Sequence, residues 1–163
     1  MHRSGKLRNE FHYYTTYGSR QSNEFHFLAG DSEIHFNIEE VFSSQTNSVF
    51  GGYDTRSYIE IKSGNFNCRG DVYISTGQLN EFYVQLNKCY QALVGRARLS
   101  NEYESNLELV FRFDGLGHIS VTGFYKSSSI EFNQLEFEFE TDQTSLPQLI
   151  KRLGNIVSEY GHQ

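Results

Sequence analysis

The side chains that could do chemistry in this sequence are mostly carboxylates. Glu136, Glu138 and Glu140 alternate with apolar residues, and on a strand that spacing puts all three on one face, roughly 7 Å apart. Glu108, Glu131 and Asp142 are placed to extend the patch. Paired-carboxylate hydrolysis needs one acid held in an apolar pocket with a raised pKa. A regular row facing water offers no such pocket. Two readings of the row stand: a solubilising face that discourages edge pairing, and a negative surface that steers and binds a basic protein.

The other reactive groups are scattered. His2, His12, His26, His35, His118 and His162 show neither HExxH nor HxH spacing. His26 and His35 fall on outward positions of neighbouring strands, where they would meet as a surface pair. His118 follows the glycines at 115 and 117, a place for a ring that bonds nearby backbone rather than for a catalytic base. Gly115-Leu116-Gly117 is too short for a phosphate loop and opens no helix. No GxSxG is present. Tyr53-Asp54-Thr55-Arg56 reads as a loop in which Asp54 and Arg56 either serve a site or close a turn. Cys68 and Cys89 have no metal-like spacing and suit two buried reduced thiols, with a Cys68–Cys89 disulfide left open. None of these spacings implies a cofactor or a metal.

Composition sets the outer limits. The 163 residues suffice for one domain with a proper core. Fourteen Phe and eleven Tyr favour half-buried pleated surfaces over a helical bundle. A formal net charge of −6 argues against nucleic acid as the direct partner and is compatible with a basic protein partner. No apolar run approaches a membrane span and the N-terminus has no signal-peptide core, so a cytoplasmic protein is expected.

The elements that must position these groups follow from periodicity. Ser75-Thr76-Gly77-Gln78 is a capping-box pattern, and Leu79, Phe82, Leu86, Tyr90 and Leu93 recur behind it at helical spacing, with Gly95 as the exit. Ile34, Phe36 and Ile38 alternate with polar residues, as do Ile59 and Ile61. Phe66, Cys68, Val72 and Ile74 continue the pattern, and Gly70 among them suggests a bulge. Leu107, Leu109, Phe111 and Phe113 face inward, Glu108, Val110 and Arg112 outward, with the return strand carrying Ile119, Val121 and Tyr125. Thr144 or Ser145 caps a last helix whose stripe is Leu146, Leu149, Ile150, Leu153, Ile156, Val157 and Tyr160, stopped by Gly161. The expectation is an α+β fold of mostly antiparallel sheet, sandwich-like or partly rolled, with about eight or nine strands. Two helices pack on it, one over about 76–94 and one over about 145–160. Residues 23–163 read as one domain. Residues 1–22 read as a flexible segment or an edge strand, with a weak strand over 11–17.

Four elements taken together resemble a known family. They are Phe50-Gly51-Gly52-Tyr53-Asp54-Thr55; Ser75-Thr76-Gly77-Gln78-Leu79 with Phe82 and Leu86; Gly117-His118-Ile119 with Val121 and Gly123; and Leu135 to Thr144, whose end reads Thr141-Asp142-Gln143-Thr144 before the last helix. The set is similar to the WapI-like immunity proteins of bacterial polymorphic and contact-dependent toxin systems, over roughly residues 24–160. The resemblance implies a cytoplasmic, non-catalytic inhibitor that occludes the C-terminal domain of a cognate toxin, often a nuclease and expected to be basic. It fixes no binding residue. Buried aromatic anchors dominate such interfaces, and Tyr53, Tyr58, Tyr103 and Phe124 occupy loops or outward strand positions. With the acids, the partner-binding candidates are Glu108, Glu136, Glu138, Glu140, Asp142, Tyr53, Asp54, Tyr58, Tyr103 and Phe124.

Two other classes compete. A small-molecule-binding domain or enzyme would hold its ligand in an aromatic-lined mouth of the sheet, with His118 or Asp54 beside it. A structural module would show concentration-dependent size, although a homodimer is also compatible with immunity.

Overall fold

Inward-facing apolar residues at every second position build two sheets. The computed structural model describes residues 23–44, 47–127 and 132–160. β1 (Glu24–Ala29), β2 (Ser32–Val41), β3 (Asp54–Ser63) and β4 (Phe66–Ser75) form one antiparallel meander. β5 (Val94–Ser100), β6 (Leu107–Asp114), β7 (His118–Lys126) and β8 (Gln134–Asp142) form the second. α1 (Thr76–Ala92) follows the first sheet and α2 (Leu146–Tyr160) the second, so the order of four strands and a helix occurs twice. This is the α+β, antiparallel architecture expected. The strand expected over 11–17, Glu131 of the acidic patch and the stop at Gly161 lie outside the described residues.

One apolar core joins the two sheets. Phe27 of β1 meets Phe111 of β6 edge-on at 5.2 Å and stacks towards Phe139 of β8 at 6.1 Å. β8 approaches β1, β3 and β4, so it runs across the first sheet. α1 lies along β5, α2 lies along β1, and the helices touch each other. Leu79, Phe82 and Leu86 from α1 and Leu149, Leu153 and Ile156 from α2 enter the same core. Each such side chain contributes about 1.5–3 kcal/mol over its exposed state.

Several local expectations are corrected. α1 ends at Leu93, which takes the left-handed conformation (φ 56), while Gly95 already belongs to β5. Gly95 instead leaves room for the Cys89 sulfur, which an added Cβ would approach to 3.0 Å. Gly70 makes no bulge: it pairs in register with Ile59, and the irregularity lies between Ile38 and Glu40 of β2. Gly70 is bare because the Tyr125 ring crosses it, its hydroxyl donating to Asp71 O at 3.1 Å. Residues 54–56 are strand rather than loop, and the inward alternation continues through buried Thr55 and Ser57. Their hydroxyls bond each other at 2.8 Å, which lets polar residues hold apolar positions. Val110, on the outward side of β6, is buried nonetheless.

Both helix starts rest on side-chain caps. At α1 the expected box forms: Gln78 N–H donates to Ser75 Oγ at 3.1 Å, and Ser75 N–H to Gln78 Oε1 at 2.9 Å. At α2 the cap is Asp142 rather than Thr144 or Ser145. A 3-10 turn, Gln143–Ser145, precedes the helix, and Asp142 Oδ1 accepts from Thr144 N–H at 2.8 Å. The added turn moves the start of helical backbone ahead of Thr144.

Thr144 holds the Asp142 carboxyl below its usual value, first through its hydroxyl and then through its N–H. A folded pKa depressed below the unfolded one stabilises at pH above the ordinary value of 3.8 and is lost as pH falls through the depressed value. Asn at position 142 keeps the acceptor without the charge. The stability gap between wild type and Asp142→Asn, from urea midpoints, should therefore hold near neutral pH and close in acid. A gap unchanged into strong acid would rule out the anionic cap.

Candidate functional site

The loop after β2 is clamped onto the first turn of α1. Gly77 N–H donates to Gly51 O at 3.1 Å, Thr76 N–H to Tyr53 O at 2.8 Å, and Tyr53 N–H to Thr76 Oγ1 at 2.9 Å. Ser75 Oγ–H also reaches Phe50 O, at 3.3 Å. The close approach needs glycine on both sides. Gly51 and Gly52 have φ of 85° and 64°, and a Cβ on Gly77 would lie 2.5 Å from Gly51 O. The clamp leaves Val49 and Phe50 at the surface.

The β5–β6 loop brings a second aromatic to the same place. Asn101 is buried, and its Oδ1 accepts from Tyr103 N–H at 2.9 Å and Glu104 N–H at 3.3 Å, while its Nδ2 donates to Asn106 Oδ1 at 2.6 Å. This sets Tyr103 edge-on against Phe50, ring centroids 4.8 Å apart. The Tyr103 hydroxyl donates to Asp54 Oδ1 at 2.6 Å, so Ser48 Oγ–H donates to Tyr103 at 2.7 Å, and Phe50 N–H donates to Ser48 Oγ at 3.1 Å. Burial first, then the Asp54 carboxylate, push the Tyr103 phenol up, so it stays a neutral donor.

Phe50 (39% exposed) and Tyr103 (43% exposed) thus form a fixed ridge. On one side lies a cleft of about 290 Å³ lined by Phe42, Asp54, Tyr73, Tyr103 and Glu104. On the other, a wider groove of about 540 Å³ runs past Phe50, Gln78, Glu81, Gln85, Arg98 and Glu102. Among the described residues, no ion pair involves Asp54, Glu81 or Glu104. The one cation in the groove, Arg98, is held by Glu108 at 2.7 Å and Glu102 at 3.2 Å. The rim is therefore acidic around an aromatic centre.

The predicted residues divide between surfaces. Asp54 and Tyr103 come together, with Tyr53 next to them in the clamp. Glu136, Glu138 and Glu140 are exposed on β8, an edge strand among the described residues. Glu108 is neutralised by Arg98 and adds no free charge to that row. Asp142 serves as the cap. Phe124 is half-buried between Glu108 and Glu136 on the outer face of the second sheet, with Lys126 Nζ 5.0 Å from its ring. Tyr58 lies on the outer face of the first sheet, between Asn37 and Asp71. The sheets share a core, so their outer faces point apart and cannot join one patch. Phe42, Tyr73 and Glu104 were not singled out by the sequence, because they meet only through tertiary packing.

The remaining reactive groups keep to local roles. His26 and His35 pair as expected, rings 4.0 Å apart, with Glu33 3.7 Å from His26 and Glu24 3.2 Å from His35. His118 bonds the Asp114 carboxylate at 2.9 Å rather than backbone, so it does not join Asp54 in an aromatic mouth. Cys68 and Cys89 are free thiols. Burial pushes Cys68 up to about 11 and raises Cys89 as well, which keeps both protonated.

The four sequence elements of the family resemblance form two spatial pairs. Phe50-Gly51-Gly52-Tyr53 closes on Thr76-Gly77 at α1. At α2, Gly117 O accepts from Gln143 N–H at 3.0 Å and His118 pairs in register with Asp142. Each pair locks a loop to the helix start that follows a sheet. Among the described residues no helix is long and apolar enough to cross a membrane. Comparison with curated proteins finds none that matches. The family model of the immunity protein WapI-like family matches residues 26–161, a span that contains both helices, both clamps and all of both sheets except the first two residues of β1, and the chain belongs to that family.

Proposed function

We propose that this protein neutralises a cognate toxin domain by stoichiometric occlusion, docking through the Phe50–Tyr103 ridge onto a basic surface of the toxin. Membership of an immunity family supports the class of partner. The carrying observation is the ridge itself: two aromatic rings held at fixed orientation by a hydrogen-bond relay, inside a rim whose Asp54, Glu81 and Glu104 have no ion-pair partner among the described residues. Rigid aromatics lose little entropy on binding and concentrate affinity at an interface centre. Unpaired rim acids favour a basic partner and speed its encounter. The Glu136–Glu140 row adds to the same negative field from the β8 edge.

The test is co-expression with the C-terminal domain of the product of the gene immediately upstream. Stable co-purification with rescue of growth is expected; neither outcome appearing would overturn the reading. The triple reversal Glu136→Lys, Glu138→Lys and Glu140→Lys should slow association by roughly tenfold at low salt and leave dissociation nearly unchanged. An equal association rate would remove the row from the encounter.

A further inference from the structure

We infer that the small cleft beside the ridge is a receptor for a single arginine side chain presented by the partner. The inference rests on the interface proposed above and specifies what that interface recognises. The cleft has three aromatic walls, Phe42, Tyr73 and Tyr103, and two carboxylates, Asp54 and Glu104. Its volume, about 290 Å³, sits at the lower bound for ligand pockets and suits one side chain better than a metabolite. Aromatic faces attract a cation through their quadrupole, and a guanidinium also stacks on them as a plane.

The carboxylates are arranged as receivers. Asp54 spends Oδ1 on the Tyr103 hydroxyl, and Glu104 spends Oε2 on Asn106 Nδ2 at 3.1 Å. Asp54 Oδ2 and Glu104 Oε1 make no hydrogen bond among the described residues and remain for an incoming donor. The protein's own nearby cation is turned away. Arg56 lies opposite Tyr73 in register, yet its guanidinium goes to Glu39 at 3.5 Å and Glu40 at 3.7 Å. A pocket with two anionic acceptors, aromatic walls and, among the described residues, no resident cation complements a fork of N–H donors. Arginine fits this better than lysine, whose compact ammonium neither stacks nor forks.

The floor is fixed before any ligand arrives. Tyr103 is held from both ends, by Asn101 at its backbone and by Ser48 and Asp54 at its hydroxyl. Phe42 is tied to the start of β3 by its N–H donating to Asp54 O at 2.9 Å. Binding therefore needs little reordering of the protein.

The probe is the blocked tripeptide acetyl-Gly-Arg-Gly-amide, titrated into the full chain and followed by NMR at Phe42, Tyr73 and Tyr103. Saturable shifts are expected, with the lysine peptide weaker and the citrulline peptide, isosteric but uncharged, at least tenfold weaker. The double variant Asp54→Asn, Glu104→Gln keeps the acceptor for Tyr103 and should lose arginine binding at least tenfold with its spectrum otherwise unchanged. Equal binding of arginine and citrulline, or an unaffected double variant, overturns the proposal. The toxin complex gives a separate readout. A toxin bound equally well by the double variant sinks the arginine receptor and leaves immunity standing. A failure to bind any toxin sinks the immunity reading, while the peptide titration still decides the cleft.

Discussion

Replacing Gly77 by Ala is expected to lower the thermal midpoint by roughly 6–12 °C, the shift that about 3 kcal/mol produces in a domain of this size. The sign is informative because simple propensity predicts the reverse. Gly77 lies within α1 and its φ is not in the left-handed region, so Ala should favour the helix there by about 1 kcal/mol. Against this, the new Cβ would stand 2.5 Å from Gly51 O and 2.6 Å from Phe50 O, both backbone atoms of a loop tied down by four hydrogen bonds. Backbone cannot rotate aside as a side-chain tip can. The clash wins, and the loop must leave the helix and take Phe50 with it. Calorimetry of Gly77→Ala against wild type checks this, and a raised midpoint would mean that the clamp is loose.

The second large effect is on binding. Tyr103→Ala should weaken the toxin complex by about 30-fold to 1,000-fold, the range of 2–4 kcal/mol for a central aromatic anchor. Tyr103→Phe separates the ring from the hydroxyl. It keeps the edge-on contact with Phe50 but releases Ser48 and Asp54, so it should cost about 1 kcal/mol of stability and a smaller share of affinity. Isothermal titration, with circular dichroism to verify folding, distinguishes the two variants. A folded Tyr103→Ala protein with unchanged affinity would move the interface off the ridge.

The clamp and the ridge are linked through Phe50. The loop that carries the exposed ring is held by the capping turn of α1, and the relay from Phe50 N–H through Ser48 and Tyr103 ends at Asp54. A stability defect at Gly77 should therefore appear as a binding defect too, whereas Asp142→Asn should lower stability near neutral pH, and not in acid, without touching the ridge.

Alternation and capping were readable in the sequence because they are local. Ile34, Phe36 and Ile38 declare a strand face through a period of two, and Ser75 with Gln78 declares a helix start within four residues. Local patterns misled where long-range contact sets the residue type. Gly70 looks like a bulge and is instead the footprint of Tyr125, 55 positions away, as the distance between their numbers shows. Thr55 looks like loop and is instead hydrogen-bonded to Ser57, both at core positions. Asp142 looks like the last acid of a patch and is the cap of α2, because the 3-10 turn that precedes the helix leaves no sequence signal.

By itself, then, the sequence determined the α+β class, the two helices, the antiparallel strands, the inward set of each and the family resemblance, all of which follow from periodicity and short motifs. Only the tertiary structure decided which of the candidate residues share a surface. Of ten candidate residues it brought Asp54 and Tyr103 into one contact across 49 positions, added Phe42, Tyr73 and Glu104, and sent Tyr58 and Phe124 to outer faces that point apart. A binding surface depends on how two sheets cross and how two loops meet, and residues far apart in the chain carry no periodic trace of that encounter.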